Sequence, residues 1–320
     1  MRALTRRSFL KHTGLAAALT SPAAQAAAPL ADRQSVGIYR LNVGSYQLTA
    51  LYDGIWHRKI DEKFVRNATP AQVDQALAEK FLPPRVVPTS FTPLLVNTGR
   101  RLILIDAGTG GQIAPTAGLL AETLAAAGMR VEDIDEVLIT HFHPDHISGL
   151  KDKDGQKIFP NAEIIVPQPE WAYWMDDAKM QAAPEAMRPM FLNARRIFSD
   201  IVDKVKRFTP GAVLSSGIVT VPAFGHTPGH TAYIIASGGK SVLVLGDTVT
   251  HPWLFARYPH WQGSFDLDGR MAVATRRRLL DRAAADKMLV HGYHFPFPAF
   301  GHVRKAGAGY DVVPLMWQPL

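Results

Sequence analysis

The feature that most constrains the fold of this sequence is a run of four metal-ligating side chains within six residues. His141, His143, Asp145 and His146 directly follow the apolar residues 137–139. On an extended backbone, residues two apart point the same way, so His141 and His143 can reach one cation. Asp145 and His146 are displaced far enough to bind a second cation. The HxHxDH spacing therefore predicts a loop at the exit of a strand that contributes to two adjacent metal sites.

A simpler interpretation of the same residues is a polar turn before a helix. Pro144 is suited to the first helical position, and Asp145 is a favourable acid in a first turn. Four ligand-type residues in six make this interpretation the weaker one.

Further ligand-type residues follow three other predicted strands. A Gly-His-Thr-Pro-Gly-His motif contains His226 and His230, and its Thr-Pro-Gly step suits a turn that fixes both imidazoles. Asp247 ends a second apolar run, and His291 and His294 follow a third. Each of these residues alone fits a turn or a packed loop. Four strand ends with ligand types in one chain predict a common metal centre.

The HxHxDH, GHTPGH and GD elements resemble, in type and order, those of the metallo-β-lactamase superfamily of hydrolases. The resemblance implies an α/β fold, an αββα sandwich in which two mixed sheets are flanked by helices and the metals lie at one sheet edge. The ligands it implies are His141, His143 and His226 for the first metal, Asp145, His146 and a late histidine for the second, and Asp247 as the bridge.

The late histidine is chosen by a second resemblance. The stretch 294–302, HFPFPAFGH, is similar to the C-terminal part of methyl parathion hydrolase and its relatives. In those proteins the ligand precedes the Phe-Pro run, which favours His294. His291 and His302 are then expected to be structural or pocket residues, and His302 is assigned to the substrate pocket.

Supporting and substrate-binding residues also follow from the resemblance. Asp106 resembles the Asp of the family's DTG-like turn, and such a carboxylate commonly accepts the second N–H of a metal-bound histidine. Its alternative is a turn acid that ends a strand. His230 is expected to support the ligands without binding metal. Trp174 and Phe191 match the aromatic positions of the methyl parathion hydrolase pocket and are predicted to contact substrate, together with the loop 248–268.

The resemblance implies hydrolysis by a hydroxide shared between two divalent metal ions. Asp145 and Asp247 are the predicted catalytic carboxylates that keep the pair of cations together. Zinc is the default metal for this donor set, and iron, manganese or cobalt also accept these ligands. The expected substrates are small apolar esters, lactones or organophosphate-like molecules. Two alternatives are a non-catalytic exported metal-binding protein and an iron-dependent oxidoreductase on the same fold.

The N-terminal residues 1–26 are predicted to be an export signal. Residues 5–11, TRRSFLK, fit the twin-arginine signature, and a mildly apolar stretch and an Ala-Gln-Ala cleavage pattern follow. The apolar stretch is too short for a permanent membrane anchor. The sequence thus predicts recognition by the twin-arginine export machinery, a destination in the periplasm or outside a bacterium, and a single mature domain, residues 27–320.

Charge and cysteine content bear on the partners and metal ligands of the chain. The chain has 35 Lys and Arg against 28 Asp and Glu. Four of these bases lie in the leader, which contains no acid, so the remainder carries a net charge of +3. That value does not indicate a nucleic-acid partner. With no cysteine, the chain forms no disulfide and offers no thiolate ligand. A homodimer is left open.

Apolar patterning predicts strands interleaved with helices in one sandwich domain. The predicted strands are 39–51, 92–97, 102–106, 136–140, 163–166, 218–221, 232–236, 241–245 and 287–290. The predicted helices are 116–127, 169–175, 184–204 and 270–284.

Overall fold

Strands with alternating inward and outward residues form two facing β-sheets in this protein. The computed structural model describes residues 30–214 and 216–320, so the predicted leader, residues 1–26, lies outside the described residues. The chain divides into two units, Met1–Ser35 and Val36–Leu320, and every element below belongs to the second.

The first sheet has seven strands, antiparallel at one side and parallel at the other. From edge to edge they are β1 (Ile38–Val43), β2 (Tyr46–Leu51), β5 (Leu94–Asn97), β6 (Leu102–Ile105), β7 (Glu136–Leu138), β8 (Glu163–Pro167) and β9 (Val205–Phe208). A separate antiparallel ribbon contains β3 (Gly54–Lys59) and β4 (Val86–Phe91).

The second sheet has six strands, of which one neighbouring pair is parallel. In order they are β10 (Val219–Pro222), β11 (Thr231–Ser237), β12 (Lys240–Val244), β13 (Leu289–His291), β14 (Phe300–Ala306) and β15 (Gly309–Pro314).

The helices begin at residues suited to capping. Asp268 accepts a hydrogen bond from the backbone of Met271, and Thr69 forms a reciprocal capping box with Gln72, followed by a proline at the first helical position. The helices are α1 (Pro70–Ala78), α2 (Leu120–Ala126), α3 (Pro144–Ile147), α4 (Gln168–Trp174), α5 (Asp177–Ala182), α6 (Arg188–Phe198) and α7 (Gly269–Ala285).

Three apolar cores define the layers. In β6, Ile103 and Ile105 point toward the second sheet, and Leu104 between them points to the opposite face. Leu104 packs in the core that contains residues of α2, α4 and α6. The outer face of the second sheet packs on α1 and α7 through residues such as Leu243 and Leu279. This is the predicted αββα arrangement, and the fold prediction is confirmed.

Several predicted elements differ in detail for local reasons. The single strand predicted at 39–51 is the hairpin β1–β2, because Gly44 adopts a positive φ of 58° at its turn. The long helix predicted at 184–204 is interrupted, and α6 begins at Arg188 beside Pro189. The helix predicted from residue 116 begins at Leu120, after Gly118 with φ of 100°. The ribbon β3–β4, the helix α1 and the strands β9, β14 and β15 were not predicted.

Among the described residues, no helix combines the length and the apolar character needed to cross a lipid bilayer.

Candidate metal centre

The HxHxDH motif lies in the loop that leaves β7, in the parallel part of the first sheet. The backbone N–H of Thr140 donates to Oδ1 of Asp106, 2.8 Å away, which fixes the start of this loop. His143 precedes α3, and Pro144 occupies its first turn, so the turn geometry and the clustered ligands coexist. The loop therefore presents its side chains at the edge of the sheet.

Four side chains from three segments form the first ligand group. The candidate ligand atoms of His141, His143, His226 and Asp247 all lie within 4.8 Å of one another. His226 comes from the loop between β10 and β11, and Asp247 follows β12. Nδ1 of His143 and Nε2 of His226 are only 2.9 Å apart. Two sheets thus contribute to one buried site.

A second group contains Asp145, His146 and His294. Nε2 of His294 lies 3.3 Å from Oδ2 of Asp145, and Nε2 of His146 lies 3.5 Å from the same oxygen. His294 follows β13, so this group also joins the two sheets. Of the three late histidines, the structure brings only His294 into a ligand group.

The carboxylate of Asp247 stands between the two groups. Its Oδ2 lies 3.2 Å from Nε2 of His226 and 3.8 Å from Nε2 of His141. Its Oδ1 lies 3.2 Å from Nε2 of His146 and also from Nε2 of His294. One side chain is therefore within reach of imidazoles from both groups.

Four imidazoles are oriented through the nitrogen that points away from the centre. Nδ1 of His146 donates to Oδ2 of Asp106 at 2.8 Å, and Nδ1 of His294 donates to the carbonyl of Ser90 at 2.8 Å. A proton on Nδ1 leaves the Nε2 lone pair directed at the centre, as metal binding requires. The other two contacts are from His141 to the hydroxyl of Thr140 and from His226 to the carboxylate of Asp266.

The inward atoms fit divalent cations. In the described part of the chain, Nε2 of His141, Nε2 of His146 and Oδ1 of Asp247 are buried and have no hydrogen-bond partner. Buried polar atoms are almost always satisfied, so converging unpaired nitrogen and oxygen atoms indicate a ligand of another kind. Imidazole and carboxylate donors suit zinc and its neighbours among the transition metals.

The electrostatics of the site also favour cations. Burial raises the pKa of Asp145, but the charges of His146 and His294 outweigh it and lower that pKa to about 2. Burial lowers the pKa of His226 and of His294, but their contacts with carboxylates outweigh it and raise both to about 9. The low pKa keeps Asp145 ionised at neutral pH, and the raised pKa values show that the carboxylates stabilise positive charge at the position of these imidazoles.

The predicted supporting residues lie beside the ligand groups. Asp106 adopts a positive φ of 61° and accepts hydrogen bonds from both Thr140 and His146. His230 lies outside both groups, and its Nε2 accepts the backbone N–H of Asp247 at 2.9 Å. The imidazole of His230 therefore holds the backbone from which Asp247 extends.

The sequence analysis missed Asp266, Arg276 and Ser90. Asp266 is fully buried and accepts a hydrogen bond of 2.9 Å from Nδ1 of His226. Its carboxylate also lies 3.3 Å from the guanidinium of Arg276. Asp266 lies in a loop without periodicity, and Ser90 contributes only its carbonyl, so neither has a motif. For Arg276 the available signal was its place in the sequence of α7, where it occupies a position of the otherwise apolar, buried face.

A cavity of about 370 Å³ opens onto both ligand groups. Its walls are largely apolar, with Arg58 lying 5.3 Å from the ring centres of Trp56 and Phe64. The wall residues include Trp56, Arg58, Phe64, Val87, Phe91, Ile113, Met190, His251 and Phe265.

The structure corrects the predicted pocket residues. Trp174 and Phe191 are fully buried, pack on each other behind His143 and do not line the cavity. His302 lies on the exposed side of β14, also away from the cavity. His291 is buried against Phe300. Sequence spacing could not distinguish an aromatic residue that supports a wall from one that forms it.

Comparison with known proteins decides the family. Residues 92–290, which include His141, His143, His226 and Asp247, match the family model of the metallo-beta-lactamase superfamily. The chain belongs to this superfamily. The match does not identify the methyl parathion hydrolase-like branch, which stays a prediction.

Relatives within the superfamily are metallo-hydrolases. A protein of Mycobacterium tuberculosis described as a probable metallo-hydrolase is 29% identical over 180 residues, which cover 49% of this chain and 56% of the relative. A protein of Mycobacterium bovis with the same description matches equally. The chain thus spans about half the length of these curated relatives.

Two solved structures of the superfamily match almost the whole chain. AidC, a dizinc quorum-quenching lactonase solved with the product N-hexanoyl-L-homoserine, has a TM-score of 0.83 and 28% identity, covering 89% of this chain and 99% of AidC. The hydrolase AbOPH has a TM-score of 0.84 and 29% identity, covering 90% of this chain and all of AbOPH.

Proposed function

We propose that this protein is a dinuclear metal-dependent hydrolase of small apolar lactones and esters. The observation that carries the proposal is the position of Asp247. Its two oxygens lie within 3.2 Å of imidazole nitrogens from the two different ligand groups. A carboxylate shared in this way suits two neighbouring cations better than one.

The proposed first site consists of His141, His143 and His226, and the second of Asp145, His146 and His294, with Asp247 common to both. Zinc is the proposed metal, because the donors are imidazoles and carboxylates and because the similar AidC is a dizinc enzyme. Iron, manganese and cobalt use the same donors, and metal analysis of the purified protein distinguishes them.

Bound divalent cations polarise a carbonyl or phosphoryl oxygen and lower the pKa of water toward neutrality. The chain supplies the surroundings for this chemistry. Asp145 and Asp247 provide the negative charge that offsets two cations. Asp106, Ser90 and Asp266 keep three imidazoles in the orientation that directs Nε2 inward. The apolar walls bind the uncharged parts of a substrate and limit the access of bulk water.

The size and character of the cavity support the proposed substrate class. A volume of about 370 Å³ lined by aromatic and aliphatic side chains matches a small apolar molecule and does not match a polymer. The similarity to AidC favours lactones within this class. Phosphotriesters remain the proposed second class, because the stretch 294–302 resembles that of methyl parathion hydrolase.

Metal analysis and a substrate panel test the proposal together. We expect close to two metals per chain and activity toward acyl-homoserine lactones, aryl esters or phosphotriesters. The His143→Ala variant should lose that activity. A fully metallated protein that hydrolyses none of these compounds would favour a non-catalytic metal-binding protein. Iron with oxygen-dependent turnover would favour an oxidoreductase, and dominant activity toward β-lactams, glutathione thioesters or phosphodiesters would overturn the substrate class.

Export is a further part of the proposal. The twin-arginine signature at residues 5–11 and the Ala-Gln-Ala pattern support transport to the periplasm and cleavage near Ala27. Twin-arginine transport carries folded proteins, so we propose that metal is bound in the cytoplasm before export. The mature domain would then be residues 27–320.

A further inference from the structure

A fully buried carboxylate, Glu170, lies next to the first ligand group and has no part in the proposed chemistry. Glu170 is in the first turn of α4, directly after β8. It is not a candidate ligand and it does not line the cavity. Burying a carboxylate without compensation is costly, so its contacts indicate what holds it there.

The two oxygens of Glu170 accept hydrogen bonds from two different loops. Oε2 accepts the backbone N–H of Phe142 at 3.0 Å, and Oε1 accepts the backbone N–H of Gly229 at 2.7 Å. Phe142 stands between His141 and His143, and Gly229 belongs to the loop that carries His226. One side chain therefore ties together the two loops that supply the histidines of the first group.

These loops come from different sheets, because Phe142 follows β7 and Gly229 precedes β11. The backbone N–H of Thr231 donates to the carbonyl of Thr140 where the two loops begin and end, at 3.0 Å. Glu170 adds a second bridge, at the level of the histidines. The approach is close: a Cβ atom added to Gly229 would lie 2.4 Å from the backbone nitrogen of Glu170. A glycine at 229 is consistent with this contact, since any larger residue would push the loop away.

Glu170 also fixes an aromatic ring against a ligand. Its Oε2 accepts Nε1 of Trp174 at 2.7 Å, and the indole stands edge-on to the imidazole of His143 with ring centres 6.2 Å apart. The three groups named above are all donors, and the side chain of Thr227 also stabilises the ionised carboxylate. A glutamine would place an NH₂ group where one of these donors points, and that donor would be left without an acceptor.

We propose that Glu170 is a positioning residue that sets the separation between His143 and His226, and thereby the metal affinity of the first ligand group. The separation in question is the 2.9 Å between Nδ1 of His143 and Nε2 of His226. The inference rests on the proposed metal-binding function. The second group is held by other contacts, those of His146 with Asp106 and of His294 with Ser90. The effect of Glu170 is therefore confined to one of the two sites.

The test is the affinity of each site for zinc in Glu170→Gln, measured by competition with a chromophoric chelator. We expect one site to weaken by about 10- to 100-fold, the cost typical of losing a residue that orients a ligand. The other site should stay within about threefold of wild type. Cobalt substitution gives a second readout, because the absorption bands of the weakened site should change and those of the other should not.

Glu136→Gln is the matched control, since Glu136 is another buried carboxylate whose hydrogen-bond partner is Arg101, outside both ligand groups. It should leave both affinities at the wild-type level. Trp174→Phe removes the indole N–H together with part of the buried ring and keeps both loop contacts. Its loss of affinity should be clearly smaller than that of Glu170→Gln, and a loss as large would place the role in Trp174 and overturn the proposal.

The outcomes separate the two proposals. Wild-type protein that binds no metal would defeat the proposed function itself. Two sites of wild-type affinity in folded Glu170→Gln, or equal weakening of both sites, would overturn the positioning role alone. If Glu170→Gln does not fold, Glu170→Asp takes its place, because it keeps the charge but is one methylene too short to reach both loops. The same loss at one site is expected there, and unchanged affinities would again overturn the inference.

Discussion

Nδ1 of His226 donates a hydrogen bond of 2.9 Å to Oδ1 of Asp266, a residue of the loop that also forms part of the cavity wall. The other oxygen of Asp266 lies 3.3 Å from the fully buried guanidinium of Arg276. A proposed metal ligand, a wall loop and the helix α7 are thus joined through one carboxylate.

The Asp266→Asn variant should bind metal more weakly. Asparagine has a single acceptor oxygen, so either His226 or Arg276 loses its partner, and we expect a fall in metal affinity of about 10- to 100-fold. Titration with a competing chelator measures this loss. Asp268→Asn is the matched control, because asparagine caps a helix about as well as aspartate and the hydrogen bond of the Asp268 side chain is the cap of α7. Equal losses in both variants would contradict the role given to Asp266.

The Asp247→Asn variant should lose turnover far more than substrate affinity. Its side chain lies within 3.2 Å of imidazoles from both groups, so the substitution disturbs both proposed metal sites together. We expect kcat to fall by roughly 100-fold or more. This loss equals or exceeds the largest effect that is typical of losing a residue that only orients a ligand. Steady-state kinetics with saturating zinc measures the change. Wild-type turnover would contradict the dinuclear mechanism.

The Trp56→Ala variant should weaken substrate binding without impairing the chemistry. Trp56 lines the cavity and remains 37% exposed, so its removal costs little folding stability. Loss of apolar contact worth about 1–2 kcal/mol predicts a rise in KM of roughly tenfold for apolar substrates, with kcat unchanged. Trp317→Ala makes the same change at an exposed tryptophan that does not line this cavity and should leave KM as it is. A fall in kcat alone would show that Trp56 is not a binding residue.

Replacement of His291 should change how stability depends on pH. Burial lowers the pKa of His291 from 6.5 to about 3, so the folded protein holds it neutral while the unfolded chain takes up a proton below 6.5. Its contribution to stability is therefore present above pH 6.5 and is lost as the pH falls toward 3. Urea unfolding measures the free energy of unfolding of wild type and of His291→Leu. We expect the wild-type value minus the variant value to fall by about 2 kcal/mol when the pH is lowered from 7.5 to 5.

His302→Leu is the control for this measurement, because it makes the same replacement at an exposed imidazole. The pH dependence of stability should differ from wild type far less in this variant than in His291→Leu. The experiment also tests the choice of late ligand. Loss of metal in His291→Leu, with metal retained in His294→Ala, would show that the two histidines have been assigned the wrong way round.

Replacing Arg6 and Arg7 by lysine should abolish export. The twin-arginine pair is the recognised element of the signature, so the variant is expected to stay uncleaved in the cytoplasm. Cell fractionation with N-terminal sequencing measures the result. Arg2→Lys changes a leader arginine outside the pair and should be exported like wild type. A mature protein that begins near Ala27 in the periplasm despite the double replacement would contradict the twin-arginine proposal.

The ligand groups were accessible to sequence reasoning because their signal is local. The spacing of His141, His143, Asp145 and His146 implies shared sites without knowledge of the rest of the chain. Asp247 could be added because it ends an apolar run, as ligands at strand ends do. The family resemblance then supplied His294, which local spacing could not separate from its neighbouring histidines.

The cavity was harder to predict because its walls depend on tertiary packing. Trp56 and Arg58 lie on β3, whose charged and exposed residues gave no clear strand pattern. Trp174 and Phe191 have the composition of a pocket but pack inward behind His143. Glu170 has no motif, since its role depends on two backbone N–H groups that are distant in sequence. Such contacts become visible only when the folded chain is known.

The separate ribbon β3–β4 has a consequence for how this protein could change during evolution or engineering. It supplies Trp56, Arg58 and Phe91 to the cavity, and its hydrogen bond to a proposed ligand comes from the carbonyl of Ser90, which any residue would provide. Its ring contact with a proposed ligand is that of Phe91, which stands edge-on to the imidazole of His294. Side chains of the ribbon other than Phe91 can therefore be exchanged to accept new substrates while the proposed metal ligands stay in place. The loop around Asp266 does not have this freedom, because a change there also reaches His226. New specificities should consequently arise first on the ribbon.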